Sequence, residues 1–370
     1  MSSYSADAFL FSPKEIDCHS ISSGPLTAPS WSATVHYDQN SLNRLEDLVP
    51  LKNRTFDLAS LTKVIVTSTL LVELAVLEGA DSLEIWSKNS LLRDSIPELQ
   101  ATTLSELSVW DLWHHRSGLD ANIEFYPARP FFHKLEDRAE AQSELLISII
   151  QNHPNQLQKD RTIYSDVGFL LLGVFLERKH SKNLDVIWDD WCQRNPIPNS
   201  GKDKRFPFFH VNHQVPAYQN SELMETEAKS KAGVVNDDKA YYLGGVAPHA
   251  GLFGSVDQVS YWVDCILNLR QKTKLYSQWL TQSSRERFAF GWDTPSGEKD
   301  SHAGESAPMS VRGHLGYTGT SVWINPSEGS YGILLTNRVH PKASELNKVS
   351  IKHLRSRFYQ ALWQGKLYIG

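Results

Sequence analysis

A serine and a lysine one helical turn apart begin an apolar segment in the first quarter of the sequence. Ser60 and Lys63 lie at the front of FDLASLTKVIVTSTLLVELAVLEG, residues 56–79. Residues i and i+3 share a helix face, and a serine at a helix start lies beside free backbone N–H groups. Ser60 could therefore be a nucleophile with Lys63 as its base, because burial should lower the lysine pKa toward a useful range. A helix cap beside an ordinary lysine explains the same spacing.

A second copy of the spacing shows that it arises easily by chance. Ser296 and Lys299 have the same separation, but they follow Pro295 in a glycine-containing stretch with no apolar helix behind it. The surrounding sequence therefore favours Ser60 as the reactive serine.

A tyrosine and an aspartate precede another apolar segment. In YSDVGFLLLGVFLE, Tyr164 and Asp166 lie directly before the run of apolar residues. Tyr164 could move protons between a serine and a leaving group, and Asp166 could bind a lysine or a substrate amine. Alternatively, Tyr164 is a packing wedge and Asp166 caps the helix.

Glycines lead into a β-rich segment near the C-terminal end. RGHLGYTGTSVWINP, residues 312–326, contains Gly316 and Gly319, and glycines let a substrate approach strand backbone closely. A tight turn into an edge strand is the alternative.

His249, in the loop GGVAPHAGLFGS, borders the expected pocket. We expect His114, His115 and Arg116 to support its rim.

Composition narrows the function classes. The 370 residues carry a net charge of -5 with 41% hydrophobic residues, so nothing favours nucleic acid or an anionic membrane as partner, and we expect no membrane span.

His210 and His213 lack a third ligand for a metal. Cys18, Cys192 and Cys265 fit neither a zinc spacing nor a disulfide framework. The N-terminal residues lack signal-peptide features, so we expect a cytoplasmic protein, or a periplasmic one if a leader has been removed.

Hydrophobic patterns predict an α+β fold. We expect an irregular start over residues 1–30, loops over about 180–240 and an antiparallel strand pair over 320–336. A further strand is expected over 32–37, and helices over 64–77, 108–118, 139–151, 167–177, 256–269 and 344–363. The whole chain, 1–370, is predicted as one catalytic domain. Its α/β part covers about 30–80 and 285–370, and its mostly helical part covers about 81–284.

The order of the three chemical motifs carries more information than each motif alone. Ser-x-x-Lys, Tyr-x-Asp and His-x-Gly follow one another along the chain, in the order seen in penicillin-recognising serine hydrolases. The sequence resembles the β-lactamase-related serine hydrolase family, which includes class C β-lactamases, D,D-peptidases and related esterases. The segments that carry this resemblance are FDLASLTK, LWHHRSGL, YSDVGFLLLG, GGVAPHAGLF, GHLGYTGTSVWINP and LLTNRVHP.

The resemblance implies a fold and a mechanism. The family fold is an antiparallel sheet flanked by helices, with an all-helical subdomain beside it and the active site at their junction. By motif, Ser60 would be the acylated nucleophile, Lys63 its base and Tyr164 an assisting proton-transfer group. The backbone N–H groups of Ser60 and Tyr317 would form the oxyanion hole, and an alternative register would use Thr320 instead. No metal or organic cofactor is implied, and the partner is a small-molecule or peptide substrate.

Three departures from the family pattern concern the substrate. Asp166 replaces the usual Asn, His314 the usual Lys and Leu315 the usual Thr. We expect these residues, with Gly316 and His249, to contact substrate and to recognise a carboxylate weakly. An ester or an amide with a neutral or cationic end is therefore expected, rather than efficient β-lactamase activity. The alternative function is a catalytically weak sensor that binds a β-lactam or muropeptide in the same cleft.

Overall fold

The protein is described from a computed structural model. The residues described are 4–11, 31–37, 48–49, 54–124, 135–155, 157–159, 161–197, 205–211, 222–223, 233–282, 286–296, 301–339 and 345–364.

Twelve strands are found among these residues, and they form two sheets. The strands are β1 Tyr4–Phe11, β2 Trp31–Tyr37, β3 Leu48–Val49, β4 Arg54–Asp57, β5 Phe208–Phe209, β6 Glu222–Leu223, β7 Leu252–Gly254, β8 Phe288–Ala289, β9 Trp292–Asp293, β10 Arg312–Leu315, β11 Ser321–Asn325 and β12 Ser330–Thr336. The larger sheet has the order β3-β2-β1-β12-β11-β10-β9-β8, and the smaller one β5-β7-β4-β6. Every neighbouring pair in the larger sheet is antiparallel.

Helices are the main regular elements in the described part of the chain between β4 and β8. The helices are α1 Thr69–Leu77, α2 Leu83–Asn89, α3 Val109–Trp113, α4 Leu135–Asn152, α5 Asp166–His180, α6 Leu184–Arg194, α7 Asp238–Tyr242, α8 Val256–Lys272, α9 Lys274–Thr281 and α10 Glu345–Trp363. The predicted α+β class, the capping box that begins α3 at Ser108 and the strand pair β11–β12 are confirmed.

Two predicted irregular regions contain regular structure. Residues 4–11 form β1, which pairs with β2 on one side and β12 on the other, so the prediction of an irregular start is wrong there. Within the predicted loops, α6 places Leu184, Ile187 and Trp191 in the core. Their spacing is that of one helix face, and the prediction missed it because the neighbouring residues are strongly polar.

The larger sheet is covered on both faces. Successive side chains of a strand point to opposite faces, and in β12 Ile333 and Leu335 join the main core whereas Leu334 joins a second cluster. The second cluster includes Phe358 and Tyr359 of α10. The sheet therefore lies between α10 and the helices of the main core.

The segment that follows Ser60 is not a uniform α-helix. Lys63–Ser68 is π-helical and continues into α1, with the Ser68 hydroxyl donating to the Lys63 carbonyl at 2.9 Å. By length and composition, Ala59–Leu77 could cross a membrane, but most of it is buried inside the protein. Its position in the core accounts for its apolar character.

Candidate active site

A buried aspartate shapes the turn that carries Ser60. Ser60 lies in the single 3-10 turn Ala59–Leu61, and Ala59 has a φ of 47°, a conformation that non-glycine residues rarely adopt. The Asp57 carboxylate accepts the N–H of Ala59 at 2.8 Å and the N–H of Asn236 at 2.7 Å. Burial raises the pKa of Asp57 to about 6. Asp57 was not recognised in the sequence, although it lies only three residues before the serine.

Lys63 reaches Ser60 from the first turn of the buried helix. Its side chain is fully buried, and its Nζ lies 3.1 Å from Ser60 Oγ, 3.2 Å from the His249 carbonyl oxygen and 2.7 Å from Asp166 Oδ1. An ammonium group has three N–H donors, so these three oxygens suit a charged lysine. The predicted contact between serine and lysine is present.

The predicted direction of the Lys63 pKa shift is wrong. Burial alone lowers the pKa of this lysine, but the Asp166 carboxylate and Tyr164 outweigh burial and raise it above the ordinary value. Burial likewise opposes ionisation of Asp166, yet Lys63 lowers the pKa of that carboxyl. The resting site therefore holds an ion pair and not a neutral amine.

Tyr164 completes the cluster around the serine. It lies just before α5 and is half-buried, with its side chain next to Lys63 and Ser60. Burial raises the pKa of Tyr164 despite the nearby ammonium group, so the resting hydroxyl is protonated. The Lys63 Nζ also lies 4.9 Å from the centre of the tyrosine ring.

Asp166 contacts the lysine, as one of the two sequence interpretations required. The cap of α5 is Ser165, whose hydroxyl accepts the Gly168 N–H at 3.1 Å, so the interpretation of Asp166 as the cap is wrong. The Asp166 side chain remains 23% exposed, which leaves a direct substrate contact possible for the carboxylate as well.

His314 faces the cluster from β10. Its ring lies 6.0 Å from the Tyr164 ring between centres, and its Nδ1 is 3.0 Å from the Leu315 carbonyl oxygen. Because a carbonyl only accepts, Nδ1 carries the proton and Nε2 the lone pair. Burial, together with the Lys63 ammonium, lowers the pKa of His314 to about 3. The head of this strand motif therefore presents a neutral imidazole to the cluster and not a cation.

Leu315 packs on the opposite side of its strand. It is half-buried against the second hydrophobic cluster, whereas successive residues of a strand face opposite ways. The structure thus gives its side chain a packing role and does not support the predicted substrate contact.

The turn after β10 is tied to the segment before Ser60. The Thr318 hydroxyl donates to the Asp57 carbonyl at 2.7 Å, and the Thr320 hydroxyl to the Leu58 carbonyl at 3.1 Å. At Gly316, a Cβ would lie 2.8 Å from the Leu58 oxygen, so only glycine fits this approach. Tyr317 follows with its ring 57% exposed and lies 4.4 Å from the Arg338 guanidinium. Its backbone N–H stays a predicted oxyanion donor.

His249 supplies a backbone oxygen to Lys63 and a side chain to Asp237. Its Nε2 lies 3.0 Å from Asp237 Oδ1, and Asp237 also caps α7. Burial opposes ionisation of Asp237, but His249 and other donors lower the pKa of its carboxyl below the ordinary value. Asp237 was missed because it lies in a polar stretch that showed no motif.

The loop that carries His249 is fixed at several carbonyl groups. The Thr67 hydroxyl donates to the Pro248 carbonyl at 2.6 Å. Arg138, paired with Glu177 at 2.7 Å, donates to the Val246 carbonyl at 3.2 Å. The loop is thereby attached both to the helix of Lys63 and to α4 and α5.

One group of side chains among the described residues could hold a metal ion. Ligand atoms of Asp166, Asp237 and His249 lie within 4.8 Å of one another. Lys63 already pairs with Asp166 Oδ1, and His249 Nε2 lies on Asp237 Oδ1. Three of the ligand atoms are therefore already engaged within the protein, and the absence of a metal stays a prediction.

The remaining candidates lie apart from the cluster. His210 is buried with its ring stacked 4.2 Å from Phe253, and its proposed partner His213 lies outside the described residues. Lys299 of the second Ser-x-x-Lys also lies outside them, and Ser296 is exposed. His114 packs on Trp110, and His115 is buried against Tyr164 rather than placed on a rim.

Comparison with known proteins agrees with this geometry. The family model described as "Beta-lactamase" matches residues 50–354. The N-acetylmuramyl-L-alanine amidase of Bacillus subtilis (strain 168) is 27% identical over 78% of this chain and 69% of its own length. The "Putative D-alanyl-D-alanine carboxypeptidase" of Escherichia coli (strain K12) is 27% identical over 86% of this chain and 77% of its own length.

Solved structures show the same fold. A class C beta-lactamase superposes with a TM-score of 0.59 at 14% identity, over 100% of this chain and 92% of that one. This identity supports a common fold and no finer conclusion. Because the family model matches most of the sequence, the chain belongs to the beta-lactamase family, whose relatives named above are hydrolases.

Proposed function

We propose that the protein is a serine hydrolase that forms an acyl-enzyme on Ser60. One observation carries the proposal: Lys63 Nζ lies 3.1 Å from Ser60 Oγ inside the core and 4.9 Å from the centre of the Tyr164 ring. A nucleophile within hydrogen-bonding reach of a proton-transfer group is the arrangement that covalent catalysis requires.

The ion pair determines the route of the proton. As Ser60 Oγ bonds to the substrate carbonyl carbon, its proton moves to Lys63 and a Lys63 proton moves to Asp166. When the leaving group departs, Tyr164 gives its proton to the leaving oxygen or nitrogen. Tyr164 then regains a proton from Lys63, and Lys63 regains one from Asp166. Water repeats these steps on the acyl-enzyme and restores Ser60.

Backbone N–H groups are proposed to stabilise the oxyanion. Ser60 lies at the start of its helix, and the Thr318 and Thr320 contacts bring the turn after β10 against the preceding segment. Tyr317 N–H is the second donor in this proposal. Loss of one such donor typically costs about 3 kcal/mol of transition-state stabilisation.

The charges around Ser60 favour esters or amides without an anionic end. Lys63 is neutralised by Asp166, and His314 is held neutral by burial. His314 of β10 therefore offers no positive charge for a carboxylate, and Arg312 of the same strand donates its guanidinium N–H groups to the Val311 and Gln282 carbonyls. Substrates with a neutral or cationic end fit this site better than β-lactams do.

A labelling experiment tests the nucleophile. Wild type, Ser60→Ala and Ser296→Ala are incubated with a fluorophosphonate probe and assayed on p-nitrophenyl esters of several chain lengths. Ser296→Ala is the matched control, because it removes the serine of the second Ser-x-x-Lys. Labelling and turnover should disappear only in Ser60→Ala. Equal labelling of all three proteins would refute the proposal.

A substrate panel tests the charge preference separately. Esters, D-alanyl-D-alanine peptides with free or amidated C-termini, and nitrocefin are compared by kcat/KM. Neutral esters and amidated peptides should exceed their anionic counterparts. A high kcat/KM for nitrocefin would contradict the proposed preference without affecting the assignment of Ser60.

A further inference from the structure

The imidazole ring of His115 packs against the ring of Tyr164. His115 follows α3 in the segment LWHHRSGL and is almost fully buried. Its ring lies 4.7 Å from the Tyr164 ring between centres, at an angle of 34°. Phe288 packs edge-on against the other part of the imidazole at 4.7 Å. The tyrosine ring thus rests on an imidazole that is itself immobilised.

His115 accepts hydrogen bonds from the residues immediately before and after Tyr164. The His115 carbonyl accepts the N–H of Ile163 at 2.9 Å, and its Nδ1 accepts the N–H of Ser165 at 3.0 Å. The residues on both sides of Tyr164 are therefore attached to one residue. The Ser165 hydroxyl adds a third link by donating to the Asp120 carbonyl at 2.6 Å.

The hydrogen bond to Ser165 fixes the state of the imidazole. Since a backbone N–H donates to Nδ1, that nitrogen carries the lone pair and the proton lies on Nε2. Burial and the neighbouring Lys63 ammonium keep the pKa of His115 well below its ordinary value. The neutral form that accepts from Ser165 is therefore maintained.

The backbone at His115 tolerates only a few residue types. Its φ is 55°, in a region where glycine is unstrained and where asparagine, aspartate and histidine are the enriched side-chain-bearing residues. Glycine and asparagine can therefore replace His115 without new backbone strain.

We propose that His115 is a positioning residue that holds the Tyr164 hydroxyl against Ser60 and Lys63. The proposal rests on the proposed hydrolase function. His115 does not touch the substrate or exchange protons; it fixes the peptide groups on both sides of the tyrosine and supports its ring. A misplacement of about 1 Å can lower a rate by about a hundredfold, so loss of this support should reduce kcat with little effect on KM.

A double-mutant cycle with Tyr164→Phe separates positioning from general stability. His115→Gly removes the ring and Nδ1 without backbone strain, whereas His115→Asn keeps a side-chain acceptor and tolerates the left-handed conformation. His114→Gln is the matched control, because His114 is buried next to His115 but packs on Trp110. Each variant is assayed for kcat and KM on a p-nitrophenyl ester, and thermal melting shows that it folds.

The expected result is non-additive. His115→Gly should lower kcat by about ten- to a hundredfold, His115→Asn should restore most of it, and His114→Gln should stay near wild type. In the Tyr164→Phe background, His115→Gly should change kcat by less than about twofold, because the group it positions is gone.

Three outcomes would overturn the inference. The first is that His115→Gly lowers kcat by the same factor in the wild-type and Tyr164→Phe backgrounds. The second is that His115→Asn has a kcat no higher than that of His115→Gly. The third is that Tyr164→Phe keeps the wild-type kcat. If His115→Gly does not fold, the cycle is decided with His115→Asn, whose smaller loss must also vanish in the Tyr164→Phe background. Failure of the hydrolase proposal is distinguishable, because wild type and Ser60→Ala would then show the same turnover, whereas failure of the positioning proposal leaves wild type active and Ser60→Ala inactive.

Discussion

Replacing Asp166 by asparagine tests whether an ion pair controls the reactive lysine. Asp166→Asn keeps the size of the side chain but removes the negative charge 2.7 Å from Lys63 Nζ. Without that charge, burial is the largest influence on the lysine, and burial lowers its pKa. The lysine must then lose a proton to solvent before it can act as a base.

The structure gives the size of the effect. Two unit charges 2.7 Å apart attract each other by about 6 kcal/mol at an effective dielectric constant of about 20. This energy corresponds to about four powers of ten in proton affinity. In the wild type, protonation of Asp166 interrupts the proposed relay only at low pH, because Lys63 lowers the pKa of that carboxyl. In the variant, the titration of Lys63 itself should limit the rate.

The assay is the pH dependence of kcat/KM on a neutral ester. Between about pH 5 and 9, Asp166→Asn should show an acid limb with a tenfold loss per pH unit, which the wild type lacks. The control is Asp111→Asn, since Asp111 also lies in the first turn of a helix and pairs with Lys159 at 2.9 Å. Its profile should match the wild type. Superimposable profiles for Asp166→Asn and wild type, or a loss equal at every pH, would refute the ion-pair mechanism.

Two further predictions concern stability and are measured by urea unfolding. Gly173→Ala should destabilise the protein by about 1–3 kcal/mol, because its Cβ would lie 2.5 Å from Pro248 Cγ. The control is Gly168→Ala in the same helix, whose Cβ would meet nothing closer than 3.5 Å and which should be tolerated. Equal effects of the two substitutions would contradict the prediction. Lowering the pH from about 7 to about 5.5 should cost about 3 kcal/mol net. Burial lowers the pKa of His114, His115, His302 and His314, so these stay neutral when folded but take up protons on unfolding below about 6.5. Their effect, to which His180 and His210 add, outweighs the opposite effect of Asp57, Asp189 and Asp293, whose pKa burial raises to about 6. Unchanged or increased stability at the lower pH would refute this balance.

The sequence predicted the parts of the site that depend on local spacing. Ser60 and Lys63 are three residues apart, so one helical turn brings them together, and the glycine at 316 follows from the close approach of β10. The state of Lys63 was predicted wrongly, because its pKa depends on Asp166, which is distant along the chain. His115 was placed on the rim for a similar reason: its contact with Tyr164 exists only after α3 and α5 have packed.

The fold prediction also succeeded for features set by local sequence and failed for features set by distant contacts. Four helices, α4, α5, α8 and α10, were predicted with bounds within about four residues of those observed, whereas the helix predicted over 108–118 ends at Trp113. Strand β1 was missed because its pairing with β12 joins opposite ends of the chain. The π-helical turns of Lys63–Ser68 also escaped prediction. An apolar pattern shows that a helix is buried, but it does not distinguish a helix with one extra residue per turn from a regular one.

The acceptors that hold Lys63 and its helix have a consequence for mutational tolerance. Pro248 and His249 contribute main-chain carbonyl oxygens to Thr67 and Lys63. A codon change replaces a side chain but leaves a peptide carbonyl in place, so no single substitution deletes either acceptor. A substitution can disturb these contacts only by changing the backbone conformation of the loop. Gly251 is such a position, because its φ is 104° and a Cβ would lie 2.4 Å from the Gly245 oxygen. In a library of all single substitutions, selection for activity should therefore be stricter at Gly251 than at Pro248 or His249, although the glycine contributes no side chain to the chemistry.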